Sequence, residues 1–181
     1  TLLGEDAGDE LSAVAPVGDL DGDGCAELWV GAPHAGELEA GAAYLISGAD
    51  AAGAAAAAEL AMFSVSGDAH GDELGGRLES GDLNGDGEVD LIVTAGSANA
   101  RVGSDAGAAY VFYGPVSGVI QLSEVEDRLW GQIDDSFAGF SLGAGDMDGD
   151  GLSDILLGAP LDGTYDDKAG AFYLMPSATE T

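Results

Sequence analysis

The chain has 181 residues, 46% of them hydrophobic, enough length and apolar content for a packed core, which excludes a disordered acidic tail. Its 34 Asp and Glu stand against 4 Lys and Arg, a formal net charge of -30, so neither nucleic acid nor an anionic membrane surface is a fitting partner. A lone cysteine, Cys25, excludes an internal disulfide, and no apolar run reaches the roughly 18 residues that cross a bilayer.

In chain order, Thr1-Leu2-Leu3 reads as a short outer strand standing ahead of the first unit. Short apolar runs between Gly and Asp clusters then predict strands near 12–17, 26–31, 41–46 and 60–66, with no sustained helical period. Between the third and fourth of these, the alanine-rich run Ala51 to Ala61 reads as a connector on a sheet edge. The matching stretch of the next unit, Val119-Ile120-Gln121-Leu122, reads as a strand.

The pattern then repeats. DLDGDGCAE from Asp19, DLNGDGEVD from Asp82 and DMDGDGLSD from Asp146 begin 63 and 64 residues apart. Gly4, Gly67 and Gly131 each stand 15 residues ahead of their loop. Apolar triplets follow each loop (Leu28-Trp29-Val30, Leu91-Ile92-Val93, Ile155-Leu156-Leu157), and then GAAYLI, GAAYVF and GAFYLM. Unbroken apolar triplets predict strands covered on both faces. The chain is thus read as one module, 1–181, with repeat one at 1–59, repeat two at 60–124 and repeat three at 125–181. Four short strands in about 60 residues is the arithmetic of a propeller blade.

The loops carry the chemistry. A hard cation such as Ca²⁺ takes six to eight oxygens, and acids alternating through a tight Gly-rich turn aim several carboxylates at one point. The first loop offers Asp19, Asp21 and Asp23 at positions one, three and five, the Cys25 carbonyl at seven and Glu27 at nine. The second offers Asp82, Asn84, Asp86, the Glu88 carbonyl and Asp90. The third offers Asp146, Asp148, Asp150, the Leu152 carbonyl and Asp154. Turn-making alone does not require acids at these four places, so about three calcium ions per chain are expected. An EF-hand needs an acid at position twelve, where this chain has Val30, Val93 and Leu157.

These loops, with AGFSLGAGDMDGDGLSDILLGAP and GAFYL in the third unit, resemble the FG-GAP repeats of integrin-α-type β-propellers. The Phe-Gly element is degenerate: Leu11-Ser12, Leu74-Gly75 and Ala138-Gly139. Gly-Ala-Pro stands at Gly31-Ala32-Pro33 and Gly158-Ala159-Pro160, but the second unit has Thr94-Ala95-Gly96. The resemblance implies an all-β fold of β-propeller blades, three repeats of four-stranded antiparallel sheet, as a partial propeller or half of an oligomeric ring. It implies an extracellular or cell-surface module for adhesion or ligand binding, with calcium in a structural role. Protein or carbohydrate ligands, or self-association into a homodimer completing a six-bladed ring, are the expected partnerships; membrane insertion is not expected. The alternatives are a propeller domain of a secreted hydrolase, lyase or carbohydrate-binding protein, and a structural repeat array. No catalytic constellation is visible: His34 and His70 read as loop residues, and Arg77, Arg101, Arg128 and Lys168 are too few for a basic site. Trp29 and Trp130 read as interior packing.

Overall fold

The computed structural model describes residues 1–36, 38–52, 54–67, 69–99, 105–125 and 128–177; Arg101 lies outside the described residues. The strands are β1 (Leu2–Leu3), β2 (Ala13–Gly18), β3 (Glu27–Ala32), β4 (Ala42–Ile46), β5 (Ala55–Ala56) and β6 (Ala61–Ser66). They continue as β7 (Leu74–Gly81), β8 (Asp90–Ala95), β9 (Ala108–Phe112), β10 (Gly118–Gln121), β11 (Arg128–Trp130), β12 (Ser141–Gly145), β13 (Asp154–Ala159) and β14 (Ala171–Met175). The expected strands of the first unit differ from β2, β3, β4 and β6 by a residue at their starts.

Three antiparallel sheets form, one per repeat. The first blade pairs β2, β3, β4 and β6 in that order, and the second pairs β7, β8, β9 and β11. The third pairs β12, β13 and β14, with no fourth strand among the described residues. Each outer strand comes from the start of the following repeat: β6 and β11 lie just ahead of Gly67 and Gly131 but complete blades one and two. β1 stands at the same position in its repeat, just ahead of Gly4.

The connectors add a second kind of pairing. Between β4 and β6 the chain forms β5, which lies parallel to β1, with Leu3 opposite Ala56. Between β9 and β11 it forms β10, parallel to β6, with Ser66 opposite Gln121. Each connector strand ends in one helical turn whose first residue, Ala57 or Leu122, is buried. The alanine run is therefore a connector, and its turn α1 (Ala57–Leu60) packs against β4 over Tyr44 and Ile46.

The blades stack face to face, with β2, β7 and β12 as neighbours at their inner edges. Leu91, Ile92 and Val93 are fully buried because Leu91 and Val93 face the first blade while Ile92 faces the third. That two-sided cover explains the unbroken apolar triplets, and each buried side chain stabilises by about 1.5–3 kcal/mol. Trp29 stacks on Phe63 at 5.9 Å between ring centres, and its Nε1–H donates to the Ile92 carbonyl at 3.2 Å. Trp130 meets Tyr110 edge-on at 6.1 Å, so both tryptophans are packing residues.

The glycines of the two family elements meet between blades. A Cβ on Gly75 would collide with the Ala42 carbonyl and crowd Gly31 of the preceding blade. In the second unit Thr94 replaces that glycine, and it sits where the bare Gly139 of the third blade leaves room. The departure from Gly-Ala-Pro is accommodated by its neighbour.

Candidate metal centre

Each Asp-rich loop joins the first two strands of its blade, β2 to β3, β7 to β8 and β12 to β13. Loops two and three touch, the Ser153 N–H donating to the Asp82 carbonyl at 2.7 Å. The loops share one local design. The position-one carboxylate accepts the N–H groups of both loop glycines: Gly22 at 2.8 Å and Gly24 at 3.0 Å on Asp19, Gly85 at 2.7 Å and Gly87 at 3.1 Å on Asp82, Gly149 at 2.6 Å and Gly151 at 3.0 Å on Asp146. Those glycines hold φ between 79° and 94°, a left-handed conformation that L side chains disfavour. Position three caps position five: the Asp23, Asp86 and Asp150 N–H groups donate to Asp21, Asn84 and Asp148. Position five accepts from position seven, with Cys25 on Asp23, Glu88 on Asp86 and Leu152 on Asp150.

The position-nine acid is buried in every loop while the other acids are exposed or half-buried. One of its oxygens accepts the position-two N–H, from Leu20 to Glu27, Leu83 to Asp90 and Met147 to Asp154. The second oxygen separates the loops. On Asp90 it accepts the Gly114 N–H at 2.9 Å, and on Asp154 the Ser177 N–H at 2.8 Å, both from just beyond the third strand. Glu27 is one methylene longer, and its Oε1 is buried without a hydrogen-bond partner among the described residues. Burial holds Asp90 above the usual carboxylate range, against the pull of the Gly114 and Leu83 N–H groups. At Asp154 the Ser177 and Met147 N–H groups prevail and hold it below that range.

Asp19, Asp21, Asp23 and Glu27 bring one carboxylate oxygen each to within 4.8 Å of one another, and Asp146, Asp148 and Asp154 do the same. Asp150 stands apart from the third cluster, with the Ser177 hydroxyl 3.3 Å away. In the middle loop the Asn84 amide donates to Asp86 at 3.0 Å, and Asp82, Asp86 and Asp90 form no such cluster. The donor set is all oxygen, which suits a hard divalent cation, and the unpartnered Glu27 oxygen beside three acids suits it further.

Two polar features escaped the sequence reading. Asp9, Asp72 and Ser136 are buried, each five residues after its repeat glycine, and their carbonyls accept the N–H groups of His34, Ser97 and Leu161. That recurring place was visible in the repeat alignment. In the third blade buried Asp162 accepts a bond from the Tyr173 hydroxyl and one from the Thr164 N–H at 2.8 Å. Burial works to raise the Asp162 carboxyl, but the Thr164 and Tyr173 bonds outweigh it and the net shift is downward. Burial and that same carboxylate push the Tyr173 phenol up to about 12. His34 Nε2 lies 3.5 Å from a Glu10 carboxylate oxygen.

The FG-GAP repeat family model matches residues 12–46, 74–112 and 138–175, so each match takes in one loop and the first three strands of one blade. Integrin alpha pat-2 of Caenorhabditis briggsae is 29% identical over 185 aligned residues, 92% of this chain and 14% of that protein. Phosphatidylinositol-glycan-specific phospholipase D is 32% identical in Bos taurus, over 78% of this chain and 18% of that protein. The Rattus norvegicus protein of that name is also 32% identical, over 92% of this chain and 21% of its own length. The chain therefore spans about a fifth or less of these relatives.

Proposed function

The chain belongs to the FG-GAP repeat family, and from that premise we propose that it is a non-catalytic, calcium-dependent β-propeller module that binds a protein or carbohydrate ligand outside the cell. The observation that carries the calcium reading is Glu27 Oε1, buried beside three carboxylates without a partner among the described residues. In this reading Asp19, Asp21, Asp23 and Glu27, with the Cys25 carbonyl, hold the first ion. Asp146, Asp148, Asp150 and Asp154, with the Leu152 carbonyl, hold another, and Asp82, Asn84, Asp86 and Asp90, with the Glu88 carbonyl, form the weakest site. Bound calcium neutralises crowded carboxylates and ties each hairpin's first turn to its second strand. It adds stability by mass action and supplies no chemistry. Extracellular calcium is abundant enough to load such loops, which supports the localisation. Among the described residues no helix is long and apolar enough to cross a membrane.

Melting with excess calcium and with a chelator tests this reading, alongside metal analysis. A higher midpoint with calcium and close to three ions per chain supports it; an unchanged midpoint with no bound calcium overturns it. Turnover of a phosphatidylinositol glycan by this chain alone, as the names of the phospholipase relatives suggest trying, would overturn the non-catalytic part.

Ring completion belongs to the same proposal. Phe172 and Leu174 stand 72% and 53% exposed on the face of the third blade where a following blade would pack. A dimer of two three-bladed chains covers them, and three Ca²⁺ per chain lower the opposing charge from -30 to -24. Light scattering in calcium checks this: a stable monomer at high concentration rules the dimer out.

A further inference from the structure

Loops two and three are joined in a way that loops one and two are not. The Ser153 N–H, at position eight of loop three, donates to the carbonyl of Asp82, position one of loop two, at 2.7 Å. The two turns also touch side by side. A Cβ on Gly81 would collide with the Ser153 side chain, and one on Gly85 would meet Leu152 Cδ2 at 3.3 Å. Gly18 and Gly22, the matching glycines of loop one, have nothing within 4 Å of that position. Among the described residues no backbone bond joins Asp19 to Val89, the position-eight residue of loop two.

The Ser153 bond lies on a continuous path of two peptide groups. Its N–H belongs to the same peptide unit as the Leu152 carbonyl, the expected position-seven ligand of loop three. A trans peptide points its carbonyl and its N–H in opposite directions, so one can face the loop-three ion while the other faces loop two. The Asp82 carbonyl in turn shares its peptide with the Leu83 N–H, which donates to buried Asp90 at 2.8 Å. Position seven of one loop thereby reaches position nine of the next through two hydrogen bonds.

We propose, resting on the calcium reading above, that loops two and three bind calcium as a positively coupled pair while loop one binds independently. When the Leu152 carbonyl ligates a cation, its peptide is polarised and the Ser153 N–H becomes a stronger donor. The Asp82 peptide follows, and its Leu83 N–H steadies Asp90 as a ligand. Coupling between binding sites is reciprocal, so the weak middle loop gains from loop three and loop three gains from it. Repulsion between two cations works against this, so a positive sign identifies the hydrogen-bonded path.

The test is a calcium titration of the full chain followed by amide NMR. Gly24, Gly87 and Gly151, each bonded to the position-one acid of its own loop, report the three loops separately. Asp148→Asn with Asp150→Asn disables loop three. Asparagine oxygens can still accept the Asp150 and Leu152 N–H groups, as Asn84 accepts from Asp86, and melting in chelator verifies the fold. The two substitutions remove as much negative charge as one bound Ca²⁺ offsets, so the long-range field at loop two is matched. The calcium midpoint of Gly87 is expected to rise about fivefold in this variant, the lower end of usual site-to-site coupling, with that of Gly24 unchanged. A Gly87 midpoint that stays or falls, or a Gly24 midpoint that rises equally, overturns the proposal. A second measurement needs no variant: the scalar coupling across the Ser153–Asp82 hydrogen bond should strengthen as Gly151 saturates, and a constant value overturns the proposal. No calcium response at any loop overturns the underlying calcium reading as well, whereas three independent responses overturn the coupling alone.

Discussion

Replacing Glu27 by Gln should change sign with calcium. The substitution keeps shape and the bond from the Leu20 N–H, while removing the charge and one cation ligand. Without metal, the wild-type protein holds a buried carboxylate oxygen with no partner among the described residues, a condition that costs about 1–3 kcal/mol. A neutral amide is less costly to bury, so in chelator the variant should match the wild type or exceed it by about 1 kcal/mol. With calcium a hundredfold above its dissociation constant, one site contributes about 2.7 kcal/mol, most of which the variant forfeits. Glu27→Gln is therefore expected to be neutral or stabilising in chelator and destabilising by about 2 kcal/mol in calcium. Urea unfolding followed by tryptophan fluorescence reads both arms, because Trp29 is buried between blades one and two. An equal loss in both conditions would refute the reasoning, since it would make Glu27 an ordinary structural acid.

Three further expectations concern other residues. Asn84→Asp should raise the calcium affinity of the middle loop, because it adds a charge and removes the amide that ties up Asp86; site-resolved titration checks the rank of the three loops. Tyr173→Phe should destabilise by about 1–3 kcal/mol near neutral pH, because it strips a hydrogen bond from buried Asp162. Asp162 is held below the usual carboxylate range, so its contribution is present above the ordinary Asp pKa and fades as pH falls through the folded value; urea denaturation should show the gap to the variant narrowing in acid. The Asp23 carboxylate, with some burial, holds the exposed Cys25 thiol above its ordinary value, so alkylation at pH 8 should be slow and Asp23→Asn should speed it.

Much of the molecule is written locally. The 63- and 64-residue spacing, the Asp-x-Asp/Asn-Gly-Asp-Gly turns and the apolar runs between them set the blades, their strands and the places of the loop acids. Each turn and the apolar run after it are determined within about a dozen residues, and the spacing only repeats that unit. The family elements were legible for the same reason, even where Thr94 stands in place of a glycine.

Tertiary structure alone decided what depends on partners distant in sequence. Pairing, not repeat phase, assigned β6 and β11 to the preceding blades. The Gly114 N–H reaches Asp90 from 24 residues away and the Trp29 indole reaches Ile92 from 63, so no local pattern announces either bond. The three loops look alike in sequence, yet of their position-nine acids, all described, Glu27 alone keeps a buried oxygen with no hydrogen-bond partner among the described residues. Hydrogen bonding and burial are settled by whichever chain segments meet, and here those segments lie from 24 residues to a whole repeat apart.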